Sequence, residues 1–163
     1  MKRMKRFLAL LLLTLSLAAC NNASRNPVIK DYSIRQTGIV SLGLSGVTAD
    51  VELDLDVENP SRARYTVEAL HADVFKAGET QLFAVIDLLD PASILPKSNG
   101  TVPLPLKVQF KRPLALLGGL VTDNLSQYEA DVDLTIRKGS FKKHIQKQRM
   151  PLDRIANLLG KTE

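Results

Sequence analysis

The sequence predicts an antiparallel β-sandwich of about seven strands, of the immunoglobulin or fibronectin-III kind. Three observations carry that expectation. Aliphatic and charged residues alternate with a period of two over long stretches. Glycine and proline turn signals separate those stretches at regular intervals. Strands do not alternate with helices in the βαβ manner that a parallel sheet requires.

The first nineteen residues form a leader, not part of the fold. Lys2, Arg3, Lys5 and Arg6 make a positive head, Phe7 to Leu17 is an apolar run, and Ala18-Ala19 are small. That is the plan of a secretory signal, with an apolar run too short to span a bilayer comfortably. Leu17-Ala18-Ala19-Cys20 resembles the bacterial lipobox, in which a lipid is joined to the Cys thiol and cleavage leaves that Cys first. The expected organisation is therefore a signal peptide over 1–19, acylated Cys20 with a polar tether over 20–27, and a β-sandwich domain over 28–163. Two or three acyl chains hold a protein on a membrane firmly, at about 0.8 kcal/mol per buried methylene. Asn21, not Asp, follows the Cys, and this resembles an address on the periplasmic face of the outer membrane.

Of 22 basic residues, four lie in the leader, so 18 remain against 17 acidic ones and the formal charge of +5 shrinks to +1. A basic balance carried by a leader is no nucleic-acid signature, and no nucleic-acid partner is expected. Cys20 is the single cysteine. An intrachain disulfide is impossible, and stability must come from a core that a chain of this size can build.

Ile29 to Leu44 is expected to supply one long strand or two short ones. Thr48 to Glu58 is the clearest: Val51, Leu53, Leu55 and Val57 share one face, Asp50, Glu52, Asp54, Asp56 and Glu58 the other. Tyr65 to Phe75 begins with Tyr65, Val67 and Ala69 inward, then shifts to Leu70, Ala72 and Val74, which predicts a bulge near Ala69. Thr80 to Leu88 is a less cleanly patterned strand. Val102, Leu104, Leu106, Val108 and Phe110 alternate with polar residues and with Pro103 and Pro105, which cannot donate ladder bonds and place the start of this strand at a sheet edge. Pro113 to Leu125 is expected to be a helix inserted before the strand at Tyr128, with Leu114, Leu117, Val121 and Leu125 on one face. Tyr128 to Arg137 alternates again, Ser140 to Arg149 suits a Lys-protected edge strand, and Pro151 to Leu159 is expected to be a short terminal helix. Turns fall at Asn59-Pro60-Ser61, Lys76-Ala77-Gly78, Ser98-Asn99-Gly100 and Lys138-Gly139.

The succession of the acidic strand ending in Asn59-Pro60, then Tyr65-Thr66-Val67, Gly78, Ile94-Leu95-Pro96 and Val102-Pro103-Leu104 resembles the water stress and hypersensitive response (WHy) domain of the type 2 late-embryogenesis-abundant (LEA) proteins. The likeness covers roughly Ser41 to Met150. It implies a seven-stranded sandwich with one helix and an association with stress tolerance, and it carries no catalytic residue. Asn59 and Pro60 have a structural explanation of their own. Proline ends the ladder, and an Asn side chain can hydrogen-bond the backbone of a turn.

The chemistry-bearing residues are sparse. The carboxylates of the acidic strand stand about 6.6 Å apart along the chain, too far to wrap one cation, and are expected to face water with Lys107 and Lys111 as cross-strand partners. His71 and His144 are the only histidines and lack a zinc-like neighbourhood, so no metal is expected. Gly43-Leu44-Ser45-Gly46 is followed by Val47, not by the second glycine of a nucleophile elbow, and no phosphate-binding loop is visible. No cofactor and no catalysis are expected. The basic run from Arg137 to Lys161 is expected to be a Lys-protected edge strand followed by a soluble terminal helix, the alternative being contact with anionic lipid headgroups near the anchor. The expected role is binding or support in the envelope, with the membrane and envelope proteins as partners. The alternative is a lipid or small apolar ligand held between the sheets or under the Pro113–Leu125 helix.

Overall fold

Thirteen register pairs, from Val47 opposite Phe110 to Asn59 opposite Ser98, join the acidic strand to the proline-bearing one. This pairing is the spine of the domain. The computed structural model describes residues 26–38, 41–43, 46–112 and 127–151. Cys20, the expected Pro113–Leu125 helix and residues 152–159 of the expected terminal helix lie outside them.

The described strands are β1 (Val28–Gln36), β2 (Ser41–Gly43), β3 (Gly46–Asn59), β4 (Tyr65–Lys76), β5 (Leu82–Leu88), β6 (Ala92–Ile94), β7 (Ser98–Phe110), β8 (Tyr128–Lys138) and β9 (Phe141–Pro151). They run β1-β3-β7-β5-β4-β8-β9, with β2 added to β3 and β6 to β4. All pairings are antiparallel. The architecture is mainly β, one antiparallel sheet curled into a half-barrel. Where two facing sheets were expected, β5 pairs with β4 on one side and β7 on the other and joins the strands into a single path. Curling is forced by burial. Leu53 and Leu55 of β3 share one apolar cluster with Leu134 and Ile136 of β8, four strands away along the path.

The inward face follows the alternation. Leu53, Leu55 and Val57 are buried against Leu104 and Leu106, and their acidic neighbours face outward. The phase change in β4 is a bulge at Glu68, between Val67 opposite Ile136 and Ala69 opposite Thr135. Ala69 itself is exposed rather than inward, because the extra residue precedes it. In β5 the residues Phe83 to Ile86 are all buried, which erases any period-two signal.

Pro103 and Pro105 sit where β7 has β3 on one side and no β5 on the other. The Pro105 carbonyl accepts from Leu89 N–H at 2.9 Å on the side away from β3. Since a strand residue's N and C=O point the same way, both missing N–H groups fall on that open flank and break no β3 bond.

Three expectations need correcting. Ser98-Asn99-Gly100 opens β7, and the turn lies at Pro96-Lys97, with Lys97 at φ +47°. Pro151 closes β9 rather than starting a helix. The strands number nine among the described residues: β1 and β2 share the stretch expected to hold one strand or two, and β6, three residues long, is too short to show a period. Gly46 permits the close turn into β3: its φ is +126°, and a Cβ there would lie 1.9 Å from the Phe110 carbonyl oxygen.

Candidate functional site

Asn59, at the end of β3, is 1% exposed despite its polar side chain. Burial of a carboxamide requires partners, and all of its capacity toward neighbours is used. Its Nδ2 donates to the carbonyls of Ala63 at 2.9 Å and Leu95 at 2.8 Å. Its Oδ1 accepts from Ser61 N–H at 3.1 Å and from Ser61 Oγ at 2.7 Å. Pro60 is exposed and leads the chain into the turn. The pair therefore shapes its own turn and also clamps the turn before β7.

The same end collects the N-terminal approach and the β8–β9 turn. Lys97 N–H donates to Ser61 O at 2.9 Å, and Gly139 N–H to Arg64 O at 3.0 Å. Tyr65 Oη donates to Asn26 Oδ1 at 3.4 Å, and Val28 pairs with Glu58. Four segments distant in sequence thus meet at one tip. Lys138 lies 5.3 Å from the Tyr65 ring centroid, within cation–π range.

The outer face carries a second arrangement. His71 in β4 stands opposite Asp87 of β5 and Asp133 of β8. Its Nδ1 is 2.6 Å from Asp87 Oδ1 and its Nε2 3.3 Å from Asp73 Oδ1. The hydrogen bond to Asp87 holds the imidazole pKa above its ordinary value; partial burial opposes this and Asp73 adds to it. Asp133 takes the His144 ring and, at 2.9 Å, Gln146 Nε2. The Gln146 bond, then that from His144, draws its carboxyl below the usual range. His71 is held from β5 and its own strand and His144 by Asp133, whose carboxyl also feels the His71 charge. Among the described residues no group of three or more His, Cys, Asp or Glu is placed to hold a metal ion. This arrangement favours the protonated His71 imidazole and pins strands side by side.

The acidic face of β3 is partly paired with basic residues of neighbouring strands, as expected, and chiefly with those of β1. Arg35 of β1 forks onto Asp54 and also reaches Glu52, and Lys30 of β1 meets Glu58 at 2.6 Å. Lys111 instead donates to Gln109 at 2.9 Å, and Lys107 stands in register between Asp50 and Asp87. The neutralising strand is mainly β1, since long basic side chains there lie beside the outward carboxylates.

At the opposite end Arg149 forms an unexpected hub. It occupies a bulge in β9 at φ +48°, and its N–H donates to Asp131 Oδ1 at 2.6 Å. Its guanidinium donates to Glu79 O at 2.8 Å and lies 4.0 Å over the Phe75 ring, covering an aromatic outside the inner cluster. Arg112 holds the Glu79 carboxylate at 2.8 Å. Nothing local in the sequence marks these contacts; they follow from register.

No family model matches the chain, and no curated protein matches it. Solved structures resemble it at low similarity. A protein from Archaeoglobus fulgidus is 14% identical with a TM-score of 0.42, over 74% of this chain and 97% of that one. The yeast GGA1 GAE domain is 12% identical with a TM-score of 0.33, over 78% and 91%. A solution structure described as a late embryogenesis abundant protein is 15% identical with a TM-score of 0.36, over 92% and 88%.

Proposed function

We propose that this chain is a lipid-anchored envelope lipoprotein of the LEA type 2 kind, non-catalytic, fixed through acylated Cys20 to the periplasmic face of the outer membrane. It acts there by binding another envelope protein, by structural support or by stress protection. The observation that carries the anchor is Leu17-Ala18-Ala19-Cys20, directly after a basic head and an apolar run and seven residues before β1. Support for the domain reading is the Asn59-Pro60 pair, whose clamp on Leu95 links two marks of the resemblance across 36 residues. The finer architecture belongs to the same proposal. It is an immunoglobulin-like sandwich in which the half-barrel's halves act as two layers, with a helix over Pro113–Leu125 and another after β9.

Density-gradient separation of inner and outer membranes tests the address. The wild-type chain is expected in the outer-membrane fraction and Cys20→Ser outside it; equal distributions overturn the anchor. Affinity capture from detergent-solubilised membranes tests the binding role, and a chain that repeatedly emerges alone counts against it.

A second reading, an apolar ligand, is favoured by one feature. Phe83 lies 4.9 Å from Tyr128 and 6.2 Å from Phe110, and these residues flank the two ends of segment 113–126. Saturable displacement of a fluorescent fatty acid supports it, and absence of displacement removes it.

A further inference from the structure

The tip stitched by Asn59 is also where the chain arrives from Cys20. Seven residues, Asn21 to Pro27, separate that cysteine from Val28. A fully extended residue spans about 3.3–3.6 Å, so this tether keeps Val28 within about 30 Å of the point where the lipid enters the bilayer. On the lipoprotein reading, whatever this tip presents is kept within about 30 Å of a membrane.

Its surface is chemically distinct. Val28 is 49% exposed, Leu95 51% and Phe141 67%; of the large apolar side chains exposed among the described residues, only Leu89 is not at this tip. Around them stand Arg62, Arg64, Lys97 and Lys138, all exposed and without a carboxylate partner among the described residues. The acidic side chains nearest the tip are already neutralised: Glu58 by Lys30, and Glu68 by Arg137 and Lys142, each at 2.8 Å. The next acidic pair, Asp31 opposite Asp56, lies further up the sheet.

Exposed aromatic and aliphatic groups ringed by cations that have no carboxylate partner among the described residues fit one occupant, the interfacial layer of an anionic bilayer. Phosphate groups accept from Arg and Lys, and Phe and Leu enter the boundary between headgroup and acyl chain. We propose that this tip is a docking surface for anionic phospholipid headgroups, so that the domain lies against the membrane rather than swinging on its tether. The inference rests on the lipoprotein reading for its proximity, but not for its chemistry.

The chain contains no tryptophan, so one introduced residue is an unambiguous reporter. Phe141→Trp places it at the tip. Ala77→Trp places it in the exposed turn after β4, a strand's length of about 40 Å away. Each full chain, purified from membranes, is reconstituted in vesicles of brominated phosphatidylcholine with or without phosphatidylglycerol. The expected result is blue-shifted, strongly quenched emission at position 141 with phosphatidylglycerol, and far less without it or at about 1 M salt, where the screening length falls to about 3 Å. Position 77 should stay unquenched. In the Phe141→Trp chain, the further triple change Arg62→Ser, Arg64→Ser and Lys97→Ser should lower the quenching while the melting temperature holds. Quenching at 141 no greater than at 77, or equal in both vesicle types, overturns the docking surface. Acylation is read separately by flotation with the same vesicles. A floating chain without differential quenching sinks the surface alone. A chain that does not float sinks the anchor, and adding it to phosphatidylglycerol vesicles then decides the surface by the same quenching criterion.

Discussion

The Asn59 carboxamide donates to the Leu95 carbonyl at 2.8 Å, joining two turns that are 36 residues apart in sequence. The bond forms in a nearly dry place, since Asn59 is buried and its remaining partners are Ser61 and Ala63. Replacing it takes one donor from each of the Ala63 and Leu95 carbonyls, which keep Ser61 Oγ and Ser98 Oγ, and leaves the Ser61 N–H without its acceptor.

Asn59→Ala is therefore expected to lower stability by about 1–3 kcal/mol, the usual cost of one buried group left unsatisfied. Asn59→Asp should be as harmful, since a carboxylate cannot donate to Ala63 or Leu95. Urea unfolding measures both, and a loss of stability no larger than that of an exposed substitution would show that no such clamp operates.

A core substitution calibrates the inner face. Leu53 and Leu104 are register partners, and both are almost wholly buried. Each Leu→Ala change is expected to cost about 2–5 kcal/mol. The double variant should depart from additivity, because the two cavities merge. Denaturant midpoints at unchanged slope check this.

Gly46→Ala is expected to cost more than an ordinary core truncation. The left-handed φ and the 1.9 Å approach to Phe110 O leave no room for a Cβ unless β3 and β7 separate. Failure to accumulate in cells, or a markedly lower melting temperature, is the expected outcome.

The pH dependence has two limbs of opposite sign. His71 is held above its ordinary value of 6.5, chiefly by Asp87. A raised imidazole pKa means the folded state binds the proton more tightly. That stability is complete below the unfolded value and is lost as pH rises through the folded one, so melting temperature should fall from near neutrality upward. His71→Gln should flatten that limb. Glu68 behaves oppositely: the Lys142 hydrogen bond, with Arg137, lowers its carboxyl below 4.5. Its contribution is present above that value and disappears as acid carries pH through the folded pKa. Glu68→Gln should flatten the acid limb only. Thermal melts across pH separate the two effects.

Much of the frame is legible in the sequence because one face is apolar and the other charged. β3 shows this at once, since Leu53, Leu55 and Val57 alternate with five acids, and the bulge in β4 shows as a slip of phase within one residue of Glu68. Legibility fails where that contrast is absent. Phe83 to Ile86 are buried on both faces, and β6 is three residues long. It fails again for contacts set by register. Asn59-Pro60 is visible as a turn, but its reach to Leu95 is not, nor is Asp87 as the partner of His71. Lys107 of β7 stands opposite Asp50 as expected, but Lys111 turns to Gln109, and β1 supplies the ion pairs through Arg35 and Lys30. An alternating strand shows which face is charged but not which neighbour will neutralise it.

The role of Cys20 is the claim on which the proposed address and the tip's nearness to the membrane depend. Intact mass of the protein isolated from membranes tests it most directly. The expected chain starts at Cys20, lacks the first nineteen residues, carries the added mass of diacylglycerol or its further acylated form, and has no free thiol. A chain that retains its leader, starts at another residue or shows an unmodified Cys20 would contradict it.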